Sequence, residues 1–450
     1  MRCGRRAFLI GGVAATAAVA AGGLSGAEPA LTAFADEPDR RRIAGPLRTR
    51  GARILDRDGA PVRLAGVNWY GFETAAMVAG GLDVRTVDEI CALVAGLGFT
   101  MVRLPFSVEM VRTDLPVTTG LDREPALRGL LPVEVMDRVV AGLERHGLAV
   151  ILDGHRSDAS WSLQSNGLWY TQDYVESVWL DSWLGLLDRY RDAAAVIGCD
   201  LRNEPGSPPQ DSAAPPRLGG AQWGAGGDGA DWAAAAERCG NSILEEHERL
   251  LICVEGVRDD PAGPSLDGTV HGYWPGGNLC GVGRAGGTRP RPRPIRLRVP
   301  HRLVYSVHDY GPDMARALPW AQLGSTATTA HACREVWDQA WGYLVRDGVA
   351  PIWVGEFGTP NGLRAGDPRA AADFTDGNDR NPQGAWFSYL VDYIRELGLS
   401  WSIWALNGTQ SPGPGRTAGA PEWYGVLAPD WTEVASAPMM ARLQSIMGPV

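Results

Sequence analysis

Two short stretches place a carboxylate where a buried strand should be ending. "LRNEP" sets Asn203 and Glu204 just beyond the apolar run "AAVIGC", and "WVGEFG" closes another apolar run with Glu356. One such Glu alone is equally well explained as an ion-pair partner of Arg103 or Arg156. Two of them, converging from separate strands, have a specific chemistry. One carboxylic acid protonates a leaving oxygen while the other, ionised, attacks the carbon being left. Water then resolves the covalent intermediate, with the first group now acting as base. This is glycoside hydrolysis with retention, and it needs the two carboxyls about 5 Å apart. Their surroundings must differ, so that one holds its proton and the other does not. Arg103 and Tyr310 are candidates for keeping Glu356 ionised.

The elements that must bring these groups together follow from the apolar runs. Strands are expected at 63–70, 100–105, 148–153, 195–203, 249–256, 302–310, 351–357 and 400–406. Helical periodicity lies between them, for example over 86–97, 132–146 and 381–397. The strand runs are apolar throughout rather than alternating, as in a parallel sheet covered by helices. Eight strands separated by helices or long loops predict an α/β protein, a (β/α)8 TIM barrel. An open, doubly wound sheet would want a Gly-rich phosphate loop after its first strand, and "GVNWYGFET" is not one. Asp58-Gly59, ahead of the barrel, reads as a hairpin turn.

Barrel enzymes work at the C-terminal ends of their strands. Here those ends present, in order, Asn68, Trp69 and Tyr70; Arg103; Asp153, His155 and Arg156; Asn203 and Glu204; Glu255; His308, Asp309 and Tyr310; Glu356; then Trp404 and Asn407. Trp69, Trp161, Trp169, Tyr273, Trp274 and Trp423 follow strands and are candidates for stacking on sugar rings. A metal reading of Asp153-x-His155 with His308-Asp309 lacks a third ligand in register. No metal or other cofactor is expected.

The motifs "GVNWYGFET", "VRLPFS", "ILDGHR", "LRNEP", "LLICVEG", "VYSVHDYGP", "WVGEFGT" and "SIWALN", in this order and spacing, resemble glycoside hydrolase family 5 of the bacterial endoglucanase (cellulase) type. The resemblance runs from about residue 46 to the C-terminus. It implies Glu204 as acid/base and Glu356 as nucleophile. It further implies that Asn203 binds the sugar 2-hydroxyl, Arg103 supports the nucleophile and His155 lines the subsite before the cleavage point. His308 and Tyr310 would contact the acid/base and nucleophile sides, and Trp404 would stack under the sugar being cleaved, beside a cis peptide. The implied substrate is a β-1,4-glucan cut internally. Mannan, xyloglucan or mixed-linkage glucan are alternatives that the subsite loops decide. A non-catalytic sugar-binding barrel is disfavoured because both Glu are present. Two features depart from the family pattern: Ala405 stands where Ser is frequent, and the Arg/Pro-rich stretch 283–300, read as a solvated loop, has no counterpart.

Composition bounds the rest. With 450 residues, 45% hydrophobic and 21% charged, the chain can bury one large core. A net charge of −10 argues against nucleic acid and anionic membrane surfaces as partners. Seventeen Trp against eight Phe suits both core packing and sugar stacking. Arg5-Arg6, a weakly apolar Ala/Gly run and "AFA" ending at Ala35 read as a twin-arginine signal over 1–35. Residues 36–45 then form a disordered N-terminal segment and 46–450 the catalytic domain. The chain is expected to be a secreted monomer with no membrane contact after cleavage. Losing Arg2, Arg5, Arg6 and Glu28, a net +2, takes the charge from −10 to −12. Six cysteines remain after Cys3 is removed, with no CxxC among them.

Overall fold

The computed structural model describes residues 43, 45–206, 220–224, 227, 229–258, 273–283, 292–314, 327–363 and 382–448. The signal and nearly all of 36–45 lie outside them, as do most of the long loop 207–229 and part of 283–300.

Strands β1 (Arg48–Arg50) and β2 (Arg53–Leu55) pair antiparallel. Their turn falls at Gly51, where φ is 56°, one turn earlier than expected. Asp58-Gly59 makes the next turn. There Asp56 Oδ1 accepts from the Asp58 and Ala60 amides, Gly59 takes φ 87°, and Leu55 bridges Pro61. The Asp56 amide donates to the Ala60 carbonyl and the Val62 amide to the Ile54 carbonyl, so the missing N–H of Pro61 costs this bridge nothing.

Eight parallel strands then close a barrel: β3 (Ala65–Asn68), β4 (Met101–Ser107), β5 (Ala149–Arg156), β6 (Val196–Asp200), β7 (Leu251–Glu255), β8 (Leu303–Tyr310), β9 (Ile352–Gly358) and β10 (Ser400–Ile403), with β10 pairing β3. Strand β6 ends three residues short of the expected position. Beyond it the Leu201 amide still reaches the Cys253 carbonyl and the Asn203 amide the Gly154 carbonyl. The chain then leaves the sheet at Glu204.

Helices cover the outside. Helix α1 (Val87–Leu97) starts on a Thr86/Glu89 capping box and stops at Gly98, φ 103°. A short α2 (Val108–Arg112) precedes α3 (Pro132–Arg145), which begins with a proline at its first position, where no N–H is needed. Helices α4 (Glu176–Arg189), α5 (Trp232–Glu246), α6 (Ala327–Trp337), α7 (Tyr343–Arg346), α8 (Pro382–Leu397) and α9 (Ala437–Gln444) complete the shell. Among the described residues only a 3-10 turn, Cys280–Val282, follows β7. None of the described helices is long and apolar enough to cross a membrane.

Two apolar layers result. One lies between barrel and helices. The other fills the N-terminal half of the barrel with Met101, Ile151, Ile197, Leu251, Cys253, Val304 and Trp353, closed from below by Leu47 and Ile54 of the hairpin segment. Eleven Trp side chains are essentially inaccessible, so most of the tryptophan is core. The six described cysteines are buried.

Candidate active site

Arg103 organises the mouth of the barrel. It points inward from β4 and is fully buried. Its Nε donates to Asp200 Oδ2 at 3.0 Å. Its Nη1 donates to Asn68 Oδ1 at 3.0 Å and Glu356 Oε1 at 2.6 Å, and its Nη2 to Asn203 Oδ1 at 3.0 Å and Glu255 Oε1 at 3.1 Å. Asp153 Oδ1 lies 3.1 Å from Nη2. One guanidinium, with five donors in a rigid plane, thus orients residues from five other strands or strand ends. Burial and the neighbouring acids push Asp153 well above the usual carboxylate range and Asp200 up to about 8.

The two glutamates meet above this hub. One oxygen of each and a ring nitrogen of His308 all lie within 4.8 Å of one another. Glu356 Oε2 accepts from the Tyr310 hydroxyl at 3.1 Å. Glu204 Oε1 accepts from the Trp274 indole N–H at 2.8 Å and lies 3.2 Å from His308 Nδ1. Its backbone has φ 49°, uncommon for a residue with a Cβ. That turn is held by its own amide, which donates to Glu255 Oε2 at 2.7 Å.

The electrostatics separate the two. Burial alone would raise Glu204, but the hydrogen bond and charge of His308, helped by Arg156 and Trp274, hold it below the usual carboxylate range. Burial raises Glu356, against the pull of His308 and Arg103. Burial would lower His308, yet Glu255 at Nε2, with Glu356 and Glu204 at Nδ1, raises it well above an ordinary imidazole. His308 Nε2 lies 3.1 Å from Glu255 Oε1. A single proton is therefore shared between Glu204 and His308, resting on His308 in this state. Asp200, Glu255 and His308 also cluster closely enough to hold a cation, as do Glu204, His308 and Glu356. The fixed positive charge of Arg103 beside both sets opposes a metal.

Aromatic rings build the floor. Trp404 stacks between Tyr70, with centroids 5.4 Å apart, and His155, at 5.5 Å. The Trp404–Ala405 peptide is cis, as the family resemblance implied. His155 Nδ1 is 2.6 Å from Asp153 Oδ2, and burial lowers this imidazole, keeping it neutral. Trp161 meets Tyr70 edge-on and carries the Arg416 guanidinium 3.6 Å over its ring. Trp274 packs on Tyr310 at 4.7 Å.

Arg103, His155, Asn203, Glu204, His308, Tyr310, Glu356 and Trp404 are thus gathered at one mouth. Trp69 is not. It is wholly buried, with its indole N–H given to the Gly80 carbonyl at 2.9 Å. It braces the β3–α1 loop and offers no face to a sugar. Trp169 is equally buried, and Tyr273 is turned to Asp309. Three contributors were not singled out from sequence: Asp200, Glu255 as the anchor of Glu204, and Trp274 as a hydrogen-bond donor. Acidic residues inside apolar strands were the available signal for the first two.

The chain as a whole is similar to known proteins. The model of the cellulase family, glycosyl hydrolase family 5, matches residues 55–410. The chain belongs to that family. It is 35% identical over 413 residues to an endoglucanase of Paenibacillus polymyxa, covering 92% of this chain and 89% of the relative. It is 31% identical over 402 residues to the major extracellular endoglucanase of Xanthomonas campestris pv. campestris, covering 88% and 70%. Among solved structures, a complex of a Pyrococcus horikoshii endocellulase with cellotetraose superposes with a TM-score of 0.70 at 29% identity, covering 90% of this chain and 99% of that one.

Proposed function

We propose that this chain hydrolyses internal β-1,4-glucosidic bonds of cellulose or related β-glucans by a retaining double displacement. The observation that carries the reading is the close approach of Glu204, Glu356 and His308, the short separation that retention needs.

Glu356 is the nucleophile. Arg103 anchors Oε1, which leaves Oε2 to attack the anomeric carbon. Glu204 is the acid/base. It receives the proton it shares with His308, donates it to the departing oxygen, and takes one back from water in the second step. Asn203 Oδ1 accepts from Arg103 Nη2, which directs its Nδ2, unpartnered here, toward the sugar 2-hydroxyl. Trp404 supports the ring being cleaved.

The test separates the two carboxylates. Glu356→Ala should lose essentially all turnover. Glu204→Ala should still form the glycosyl-enzyme from an aryl glycoside with a good leaving group, give a burst, and be rescued by azide as the β-glycosyl azide. The α-azide from Glu204→Ala with the β-azide from Glu356→Ala would reverse the roles. Losses below about tenfold in both would place the chemistry elsewhere. Faster release of reducing sugar from mannan than from β-glucan would move the substrate within the family.

The pH profile follows from the same assignment. Glu356 must be ionised, and burial raises it, so activity should fall on the acid side at a pH above that of an ordinary glutamate. The alkaline limb should report loss of the proton shared by Glu204 and His308. In Tyr310→Phe, Glu356 loses a donor to its anionic form, and the acid limb should move to higher pH.

The likeness to an extracellular endoglucanase supports secretion. We assign residues 1–35 as a twin-arginine signal and 46–450 as the catalytic domain, acting as a monomer. Arg5→Lys together with Arg6→Lys should abolish export. Unchanged secretion of that variant would exclude the route.

A further inference from the structure

Two arginines beside the site have no part in the proposed chemistry. Arg156 ends β5 and Arg202 follows β6, at 6% and 1% exposure. Arg156 gives Nη1 to the His155 carbonyl at 2.9 Å. Arg202 gives Nη2 to Gln164 Oε1 at 3.2 Å, an oxygen that also takes the Ser157 amide at 3.4 Å. Gln164 therefore ties the two arginine-bearing segments together. Among the described residues neither guanidinium forms an ion pair with a carboxylate. Nε of Arg156 and both Nε and Nη1 of Arg202 lack a hydrogen-bond partner, as does the indole N–H of nearby Trp169, whose carbonyl accepts from the Ser157 hydroxyl.

Each of these orphans is a donor. Buried donors are almost always satisfied, and two uncompensated buried charges at the ends of the paired strands β5 and β6 are costly. Burial and the charge of Arg156 pull Arg202 down to about 9, although Asp153, Glu255 and Asp158 act on it from a distance. Glu73, from the β3–α1 loop, faces Arg156 with an unpartnered Oε1. Arg103 and His308 add positive charge from β4 and β8, felt at the neighbouring His155. A water molecule must place two hydrogens as well as accept two, and Glu73 Oε1 offers one acceptor beside Arg156. It does not answer Arg202. An anion accepts from all sides and supplies the missing charge.

We infer that Arg156 and Arg202 bind a small monovalent anion of the halide type, and that the bound charge sets the field at Glu204. The enclosure of both side chains selects a monatomic ion over sulfate or phosphate. The effect on Glu204 rests on its proposed role as acid/base. Arg156 is among the charges that hold Glu204 low. A neutralising anion weakens that pull, so Glu204 keeps its proton to higher pH. The alkaline limb of kcat/KM should then rise by up to about one pH unit.

Crystals of the wild-type enzyme soaked in sodium bromide test the site directly. An anomalous peak in contact with Arg156 and Arg202 is expected, and no peak there overturns the site. In solution, sodium chloride replaces sodium methanesulfonate at constant ionic strength. Chloride should raise the thermal midpoint saturably and shift the alkaline limb upward. Arg202→Met should lose both responses, with Arg202→Gln as a second uncharged variant should Met impair folding. A wild type whose midpoint and pH profile ignore chloride overturns the inference. A bromide peak with an unmoved alkaline limb would keep the site and overturn its action on Glu204, a result distinct from any failure of the azide experiment.

Discussion

The lower half of the barrel and its mouth are built on the same strands from opposite kinds of side chain. Strand β4 sends Met101 into the lower layer and Arg103 into the mouth. Strand β7 sends Leu251 and Cys253 below and Glu255 above, and β8 sends Val304 below and His308 above. Trp353 marks the seam, with the Arg103 guanidinium 5.9 Å over its ring. The lower layer needs only volume and shape, and any well-packed apolar set would serve. The mouth needs each partner, because Arg103 and the acids around it answer one another. Substitutions should therefore fail in different ways in the two halves. The largest effect should come from Arg103→Leu, which leaves Asp153, Asp200, Glu255 and Glu356 facing one another without their cation. Stability should fall by about 3–5 kcal/mol and turnover by about a thousandfold or more. Urea unfolding with kcat on a soluble β-glucan measures both. A folded variant within tenfold of wild-type turnover would erase the distinction between the halves.

The complementary change lies below the seam. Leu251 is fully buried in the lower layer. Leu251→Ala should cost about 3–5 kcal/mol through lost burial and a residual cavity. Turnover per folded molecule should stay near the wild-type value, since no polar partner at the mouth is removed. Destabilisation with an equal loss of kcat well below the unfolding transition would show that the two halves are mechanically coupled.

This division also explains what the sequence could and could not reveal. Strand centres were legible because both faces of a covered parallel strand are apolar. Strand ends were not, since β6 stops at Asp200 and the chain turns away at Glu204, whose left-handed φ depends on Glu255 from the next strand. The paired glutamates and Arg103 were legible as polar residues closing apolar runs. Trp69 was misassigned because residue type and loop position do not say which way a ring faces. Its neighbour Tyr70 is the one that stacks on Trp404. Glu73 was invisible, because its burial comes from a loop whose path no local pattern specifies.

Glu73 supplies the smallest and most discriminating effect. It is 1% exposed and accepts the Gly71 amide on Oε2 at 2.7 Å. Burial, against the Gly71 hydrogen bond and Arg156, raises it from 4.5 to about 7. Unlike Glu356, it has no Arg within ion-pairing distance among the described residues. Between these two values the folded protein holds a proton that the unfolded chain has released. Its contribution to stability is therefore complete below about pH 4.5 and is lost as the pH rises through about 7. Glu73→Gln keeps an acceptor for the Gly71 amide and carries no charge to bury. The variant should gain on wild type as the pH rises, by at most about 3 kcal/mol at pH 8. Near pH 4 the gain should vanish. Thermal midpoints of both proteins from pH 4 to 8 measure the difference. A difference that does not vary with pH would mean that Glu73 is ionised throughout. The mouth would then carry one more buried charge, and the contrast with the lower layer would be sharper still.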